Sequence, residues 1–167
     1  MKISLIIGFI LLLAAIGGAF LAGRGNLKLK SAPLLFPKLK TAEVNRIEIT
    51  KAGETKVMLH SGADWKEETA TISAKPETVA SALAAVTKLD RKDLVSQNPS
   101  KRQIFGLDEK EAMKITLKSD SQILAQFYIG KRAQDYLSNF IRKEGEDKIY
   151  LSHEALDQLF TTPLTFQ

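Results

Sequence analysis

Hydrophobic and polar residues divide this chain into three stretches with different rhythms. Ile3 to Gly23 (ISLIIGFILLLAAIGGAFLAG) is a run of 21 residues without a charge. As a helix rising about 1.5 Å per residue, such a run spans the roughly 30 Å hydrocarbon layer of a bilayer. Gly23 to Lys40 has no useful period, and Pro33 and Pro37 break any helix there. From Val44 onward, periods of two and of 3.6 take over.

The period-two segments predict strands. Arg46 to Thr50 alternates strictly, and Lys56 to His60 follows after Ala52-Gly53-Glu54, which together predict a hairpin with one face buried. Gly62-Ala63-Asp64 turns into Trp65, expected to start a third strand and plug one end of the core. Pro76 to Leu89 is the clearest helix. Pro76 suits its first turn, and Val79, Leu83, Val86 and Leu89 form a stripe with Ala80 and Ala84 beside it. Leu94-Val95 is a short strand. Met113–Leu117, Ile123–Ile129, Tyr136–Ile141 and Lys148–Leu151 read as a meander, with Ile123, Ala125, Phe127 and Ile129 sharing one face. Ser152 is placed to cap a closing helix through Ala155, Leu156, Leu159 and Phe160. Strands and helices segregate along the chain, which predicts an α+β domain with a mostly antiparallel sheet, one main packing helix and a short C-terminal helix. The organisation expected is a transmembrane anchor over 1–23, a basic tether over 24–40 and a single domain over 41–167.

The apolar run continues through Phe20, Leu21 and Ala22, past the small residues Gly17 and Ala19 that a cleaved signal peptide would need, so an uncleaved anchor is expected. Ala14, Gly18 and Ala22 fall four apart, with Ala15, Ala19 and Gly23 as the adjacent row. Two small-residue ridges of this kind let a second transmembrane helix approach closely.

Charge sharpens the division. The net charge is +5, yet six of the 24 Lys and Arg lie in the first 40 positions, and the first acidic residue is Glu43. Thr41 to Gln167 holds 18 basic and 19 acidic residues, a net of −1. The basic character therefore belongs to the tether (Arg24, Lys28, Lys30, Lys38 and Lys40), which is expected to lie against anionic headgroups. Leu34, Leu35 and Phe36 within it either dip into the interface or pack on the domain. A near-neutral domain does not suit nucleic acid. The tether cations taken alone favour a cytoplasmic domain, because positive flanks stay inside.

Candidate chemistry is sparse. With no cysteine there are no disulfides, no thiol chemistry and no Cys-ligated zinc. His60 and His153 show no carboxylates at metal-ligand spacing. Ser61, Ser96 and Ser138 stand outside any nucleophile elbow. Gly23-Arg24-Gly25 lacks the rest of a phosphate-binding fingerprint. Glu67-Glu68 and Asp108-Glu109-Glu111 read as solvated turns, and Phe127, Tyr128, Tyr136 and Phe140 as core of the meander. No active site, cofactor or metal is expected. Ile104-Phe105-Gly106-Leu107-Asp108 predicts a tight corner in which Gly106 takes a positive φ.

The order of these pieces resembles a bacterial family known as domain of unknown function 4340. The resemblance is carried by the first hairpin and Asp64-Trp65, the Pro76–Leu89 helix, Phe105-Gly106-Leu107-Asp108, Ile129-Gly130 and Lys148-Ile149-Tyr150-Leu151, over Val44 to Phe160. It implies an envelope protein with one N-terminal anchor and its domain outside the cytoplasm, auxiliary in some relatives to ABC-type transport systems. It supplies no catalytic residues. Many relatives carry further copies of the domain, whereas this chain has one. The expectation is a non-enzymatic accessory protein of the inner membrane, its domain periplasmic, working through contacts with an integral-membrane or envelope protein. The alternative is an anchored binding module for a lipid, glycan or other envelope ligand.

Overall fold

The computed structural model describes residues 32–69 and 73–165. The uncharged run, the ridge residues Ala14, Gly18, Ala22, Ala15 and Ala19, and the tether cations Arg24, Lys28 and Lys30 lie outside the described residues.

Among the described residues nine antiparallel strands form one sheet: β1 (Arg46–Lys51), β2 (Glu54–Ser61), β3 (Asp64–Glu67), β4 (Ser73–Ala74), β5 (Leu94–Ser96), β6 (Met113–Ser119), β7 (Gln122–Arg132), β8 (Asn139–Lys143) and β9 (Ile149–Leu151). Their order is β4-β3-β2-β1-β6-β7-β8-β9-β5. Two meanders thus meet side by side at the β1–β6 pair, and β5 closes the far edge. Helix α1 (Pro76–Thr87) connects β4 at one edge to β5 at the other, and α2 (Leu156–Thr165) ends the described chain. The fold is α+β, a mostly antiparallel sheet with two helices.

Alternation in the strands places one apolar set on the helix-covered face. Met58, Ile47, Leu117 and Ala125 stand opposite one another across β2, β1, β6 and β7, and Met113, Ile129, Ile141 and Tyr150 across β6 to β9. All eight are buried, together with Val79, Leu83 and Val86 of α1 and Leu156 and Phe160 of α2. The α1 stripe matches its sequence spacing, except that Ala82 and Ala85 line it and Ala80 is exposed. Trp65 of β3 closes one end of this core, as expected, and stacks on His60.

The opposite face is polar over β1, β6 and β7, where Glu48 accepts from Arg46 Nε at 2.8 Å and from Lys118 Nζ at 2.7 Å. Burial alone would raise the Glu48 pKa, but these two bonds outweigh it and hold the group below its usual value. Farther along this face a second apolar cluster forms from Leu107, Ala112, Tyr128 and Ile149, with Phe105 and Phe140 against it.

Part of the tether belongs to this body. Leu35 and Phe36 are buried in the main core. The Leu35 N–H donates to the Leu89 carbonyl at 2.7 Å, and the Arg91 N–H to the Pro33 carbonyl at 3.0 Å. Of the two possibilities for Leu34-Leu35-Phe36, packing on the domain therefore holds for Leu35 and Phe36.

Three expectations are corrected. Ile123 does not share the face of Ala125, Phe127 and Ile129. The β6–β7 register shifts between Leu117 and Lys118, and the bulge at Leu124 turns Ile123 outward, leaving it 53% exposed. Tyr136 and Leu137 are not strand residues. They occupy the β7–β8 loop, with Tyr136 at φ +58°, and are 74% and 69% exposed. The Asp135 carboxylate causes this by accepting from the Leu137 and Ser138 N–H groups and the Ser138 hydroxyl, which closes a side-chain turn in place of a ladder. Ser152 does not cap α2. Its buried hydroxyl bonds the Asn139 backbone and the Glu154 carbonyl, and the cap comes from Asn139, whose Oδ1 accepts from the Asp157 N–H at 3.2 Å.

Candidate functional site

Between β5 and β6 the chain winds into a tight corner. Pro99 opens it, the Asn98 side chain accepts from the Ser100 N–H, and successive i to i+3 bonds run through Gly106. Gly106 takes φ +64°, and the Leu107 N–H then closes back on the Arg102 carbonyl at 2.8 Å, a glycine-ended helical stop. The Asp108 Oδ1 accepts from the Lys110 and Glu111 N–H groups, both at 3.0 Å, and fixes the exit.

This corner rests on β7. The Phe105 carbonyl accepts from the Lys131 N–H at 2.9 Å. Gly130 faces it so closely that a Cβ there would stand 2.2 Å from the Phe105 oxygen and 2.9 Å from Leu107 Cγ. Of the motif residues singled out in sequence, Gly106, Leu107, Asp108 and Gly130 therefore belong to one junction. Trp65 lies in the other half of the sheet.

Beside the junction a cleft of about 250 Å³ opens toward the start of α2, with Gly106, Gly130, Lys131 and Asp157 in its wall. Asp157 Oδ2 accepts from Arg132 Nε at 2.8 Å, while its Oδ1 is buried with no hydrogen-bond partner. Lys131 faces Glu111 at 3.7 Å. Lys51 and Met113 also line an adjoining cavity of about 320 Å³, whose other walls include Ile49, Ala52 and Phe160. A polar compartment thus adjoins an apolar one at the end of β1, β6 and β7. Together they fall within the size range of small-ligand pockets.

Lys51, Arg132 and Asp157 went unnoticed in sequence because they stand on three separate elements with no shared spacing. Asn139 was missed for the same reason, since it caps a helix 18 residues away. For the Tyr136–Leu137 loop a local signal existed, in Asp135 followed at i+3 by Ser138.

His60 and His153 are not brought together. His60 stacks on Trp65, whereas His153 lies in the β9–α2 connection, 3.5 Å from Asp90 and 3.9 Å from Asp93. Among the described residues no group of three or more His, Asp or Glu is placed to hold a metal ion, and no helix is long and apolar enough to cross a membrane. Of the tether cations within the described chain, Lys38 is exposed, and Lys40 pairs with Glu43 at 2.7 Å.

Neither the curated proteins nor the solved structures contain a match to this chain. A family model does match, over residues 68–167, taking in α1, the corner, Gly130 and the closing strands. The first hairpin and Trp65, which carried part of the sequence resemblance, precede the matched span. The chain belongs to the family described as domain of unknown function 4340 (DUF4340).

Proposed function

We propose that this protein is a non-enzymatic accessory component of the bacterial envelope, held in the inner membrane by its uncharged N-terminal run, with a periplasmic domain that works through protein contacts. The observation that carries the contact role is the Tyr136–Leu137 pair. Two large apolar side chains project from a loop that the Asp135 carboxylate fixes through three hydrogen bonds. A loop backbone already fixed in this way lowers the ordering cost of binding, and Tyr is enriched among the residues that anchor interfaces. Tethering at the bilayer raises the effective concentration of the tip near a membrane partner.

A photo-crosslinking residue at position 136 of the full chain in native membranes tests this, with position 158 on α2 as an exposed control. A discrete adduct from 136 alone is expected. No adduct, or equal labelling at both positions, would count against a contact role. Reporters fused after Gln167 test the orientation, and a cytoplasmic C-terminus would refute the periplasmic part.

A second reading, an anchored binding module, is favoured by the paired compartments beside Gly130. Lys51 stands where they join, with Glu54 opposite it on β2, and lines both compartments. An amphiphile with an anionic head fits that geometry. Native mass spectrometry of the protein released from membranes in mild detergent checks it: a bound small molecule lost on Lys51→Glu supports this reading, and an unliganded protein removes it.

A further inference from the structure

The two ends of β7 differ in character. Its C-terminal end carries the corner, the cleft and the Tyr136–Leu137 tip. Its N-terminal end, at the β6–β7 turn, lies beside residues 37–39 of the tether segment. There a groove of about 490 Å³ runs between the tether segment and the start of β7, lined by Pro37, Lys38, Leu39, Ile123, Leu124 and Lys143 among others. Ile123 is turned out by the bulge and stays 53% exposed. Lys38 is exposed with no acidic partner among the described residues. Glu144 is the one acid in the groove wall, and it lies 4.0 Å from Lys114.

We infer that this end of the sheet is a bilayer-docking face, with Ile123 seated at the headgroup boundary and Lys38 against anionic lipid. The inference rests on the anchored reading above. Covalent reach supports it, because only the eight residues from Arg24 to Ser31 separate the uncharged run from the body. Even fully extended they span at most about 28 Å, which holds the entry of the chain into the body, at Ala32, within that distance of the uncharged run. Charge complementarity supports it too. Arg24, Lys28, Lys30 and Lys38 precede the first acid at Glu43, with which Lys40 pairs, and each cation near an anionic surface contributes about 1 kcal/mol. An exposed apolar residue flanked by cations is the composition of an interfacial contact. The 11 residues of β7 then hold the Tyr136–Leu137 tip on the order of 30 Å away, at about 3.3 Å per residue.

The absence of cysteine makes the test direct. Ile123→Cys and Tyr136→Cys are each labelled with an environment-sensitive fluorophore in the full chain. The chain is reconstituted in vesicles of phosphatidylcholine and phosphatidylglycerol, with and without brominated acyl chains. Position 123 is expected to emit to the blue and to lose intensity to brominated lipid, with position 136 unchanged. A chain that does not float with the vesicles overturns both the anchor and the face. A chain that floats but is not quenched at 123, or is quenched equally at 136, overturns the face and leaves the anchor standing.

Discussion

The Phe105 carbonyl oxygen occupies the space that a side chain on residue 130 would need. Built there, a Cβ would lie 2.2 Å from that oxygen, and backbone on both sides prevents escape, because the neighbouring Lys131 N–H is bonded to the same carbonyl. Gly130→Ala is therefore expected to destabilise by about 2 kcal/mol or more, as overpacking against a fixed neighbour does. Gly106→Ala meets a positive φ, Lys131 Cγ at 2.8 Å and the Lys131 backbone N at 3.2 Å, a less close approach than at residue 130, and should cost about 1–2 kcal/mol. Urea unfolding of the two variants checks the order, and equal costs would mean that the corner shifts to relieve residue 130.

Asn139 ties three elements together. Its Oδ1 caps α2, its Nδ2 donates to the Gly130 carbonyl, and its N–H donates to Ser152 Oγ at 2.7 Å. Asn139→Ala should lower stability by about 1–3 kcal/mol, from the lost cap and the orphaned carbonyl. Hydrogen exchange should quicken at the Asp157 amide first. Unchanged exchange there would deny the cap its role.

Leu35 has no exposed surface, so Leu35→Ala should cost about 2–4 kcal/mol through the cavity it leaves. If residues 33–36 merely trailed along the surface, the cost would fall within about 0.5 kcal/mol, as for most surface substitutions. Thermal unfolding separates the two.

Arg91 links the tether segment to the β8–β9 turn. Its backbone N–H meets Pro33, and its guanidinium forks onto both oxygens of Glu146 at 2.7 Å and reaches the Tyr150 hydroxyl at 3.0 Å. The Arg91 bonds hold the Glu146 carboxyl below its usual value despite the opposing pull of burial. A carboxyl depressed in the folded state stabilises it above the unfolded pKa, near 4.5, and that contribution fades as pH falls through the folded value. Stability should therefore drop on acidification below about pH 5, with a shallower slope in Glu146→Gln. That variant should also be weaker by about 1–2 kcal/mol at neutral pH. Parallel acid curves for the two proteins would assign the acid loss to other groups.

What could be read from the sequence was what one segment decides for itself. The β1–β2 hairpin, the α1 stripe and the positive φ of Gly106 follow from spacing or from a single residue. Ile123 could not be placed, because one extra residue at Leu124 reverses every count before it. Tyr136 looked like a strand aromatic until the Asp135 carboxylate competed for its backbone. The contact of Phe105 with Gly130, and the meeting of Lys51 with Arg132 and Asp157, depend on how elements stack. No interval along the chain encodes that.

Among the described residues the outermost strands of the sheet, β4 and β5, have two and three residues. A neighbouring copy that tried to extend the sheet would find too few free backbone groups to hold it. Edge-to-edge self-association therefore finds almost no template among the described strands. On the contact role proposed above, recognition would fall to side chains at the loop tips, such as Tyr136 and Leu137.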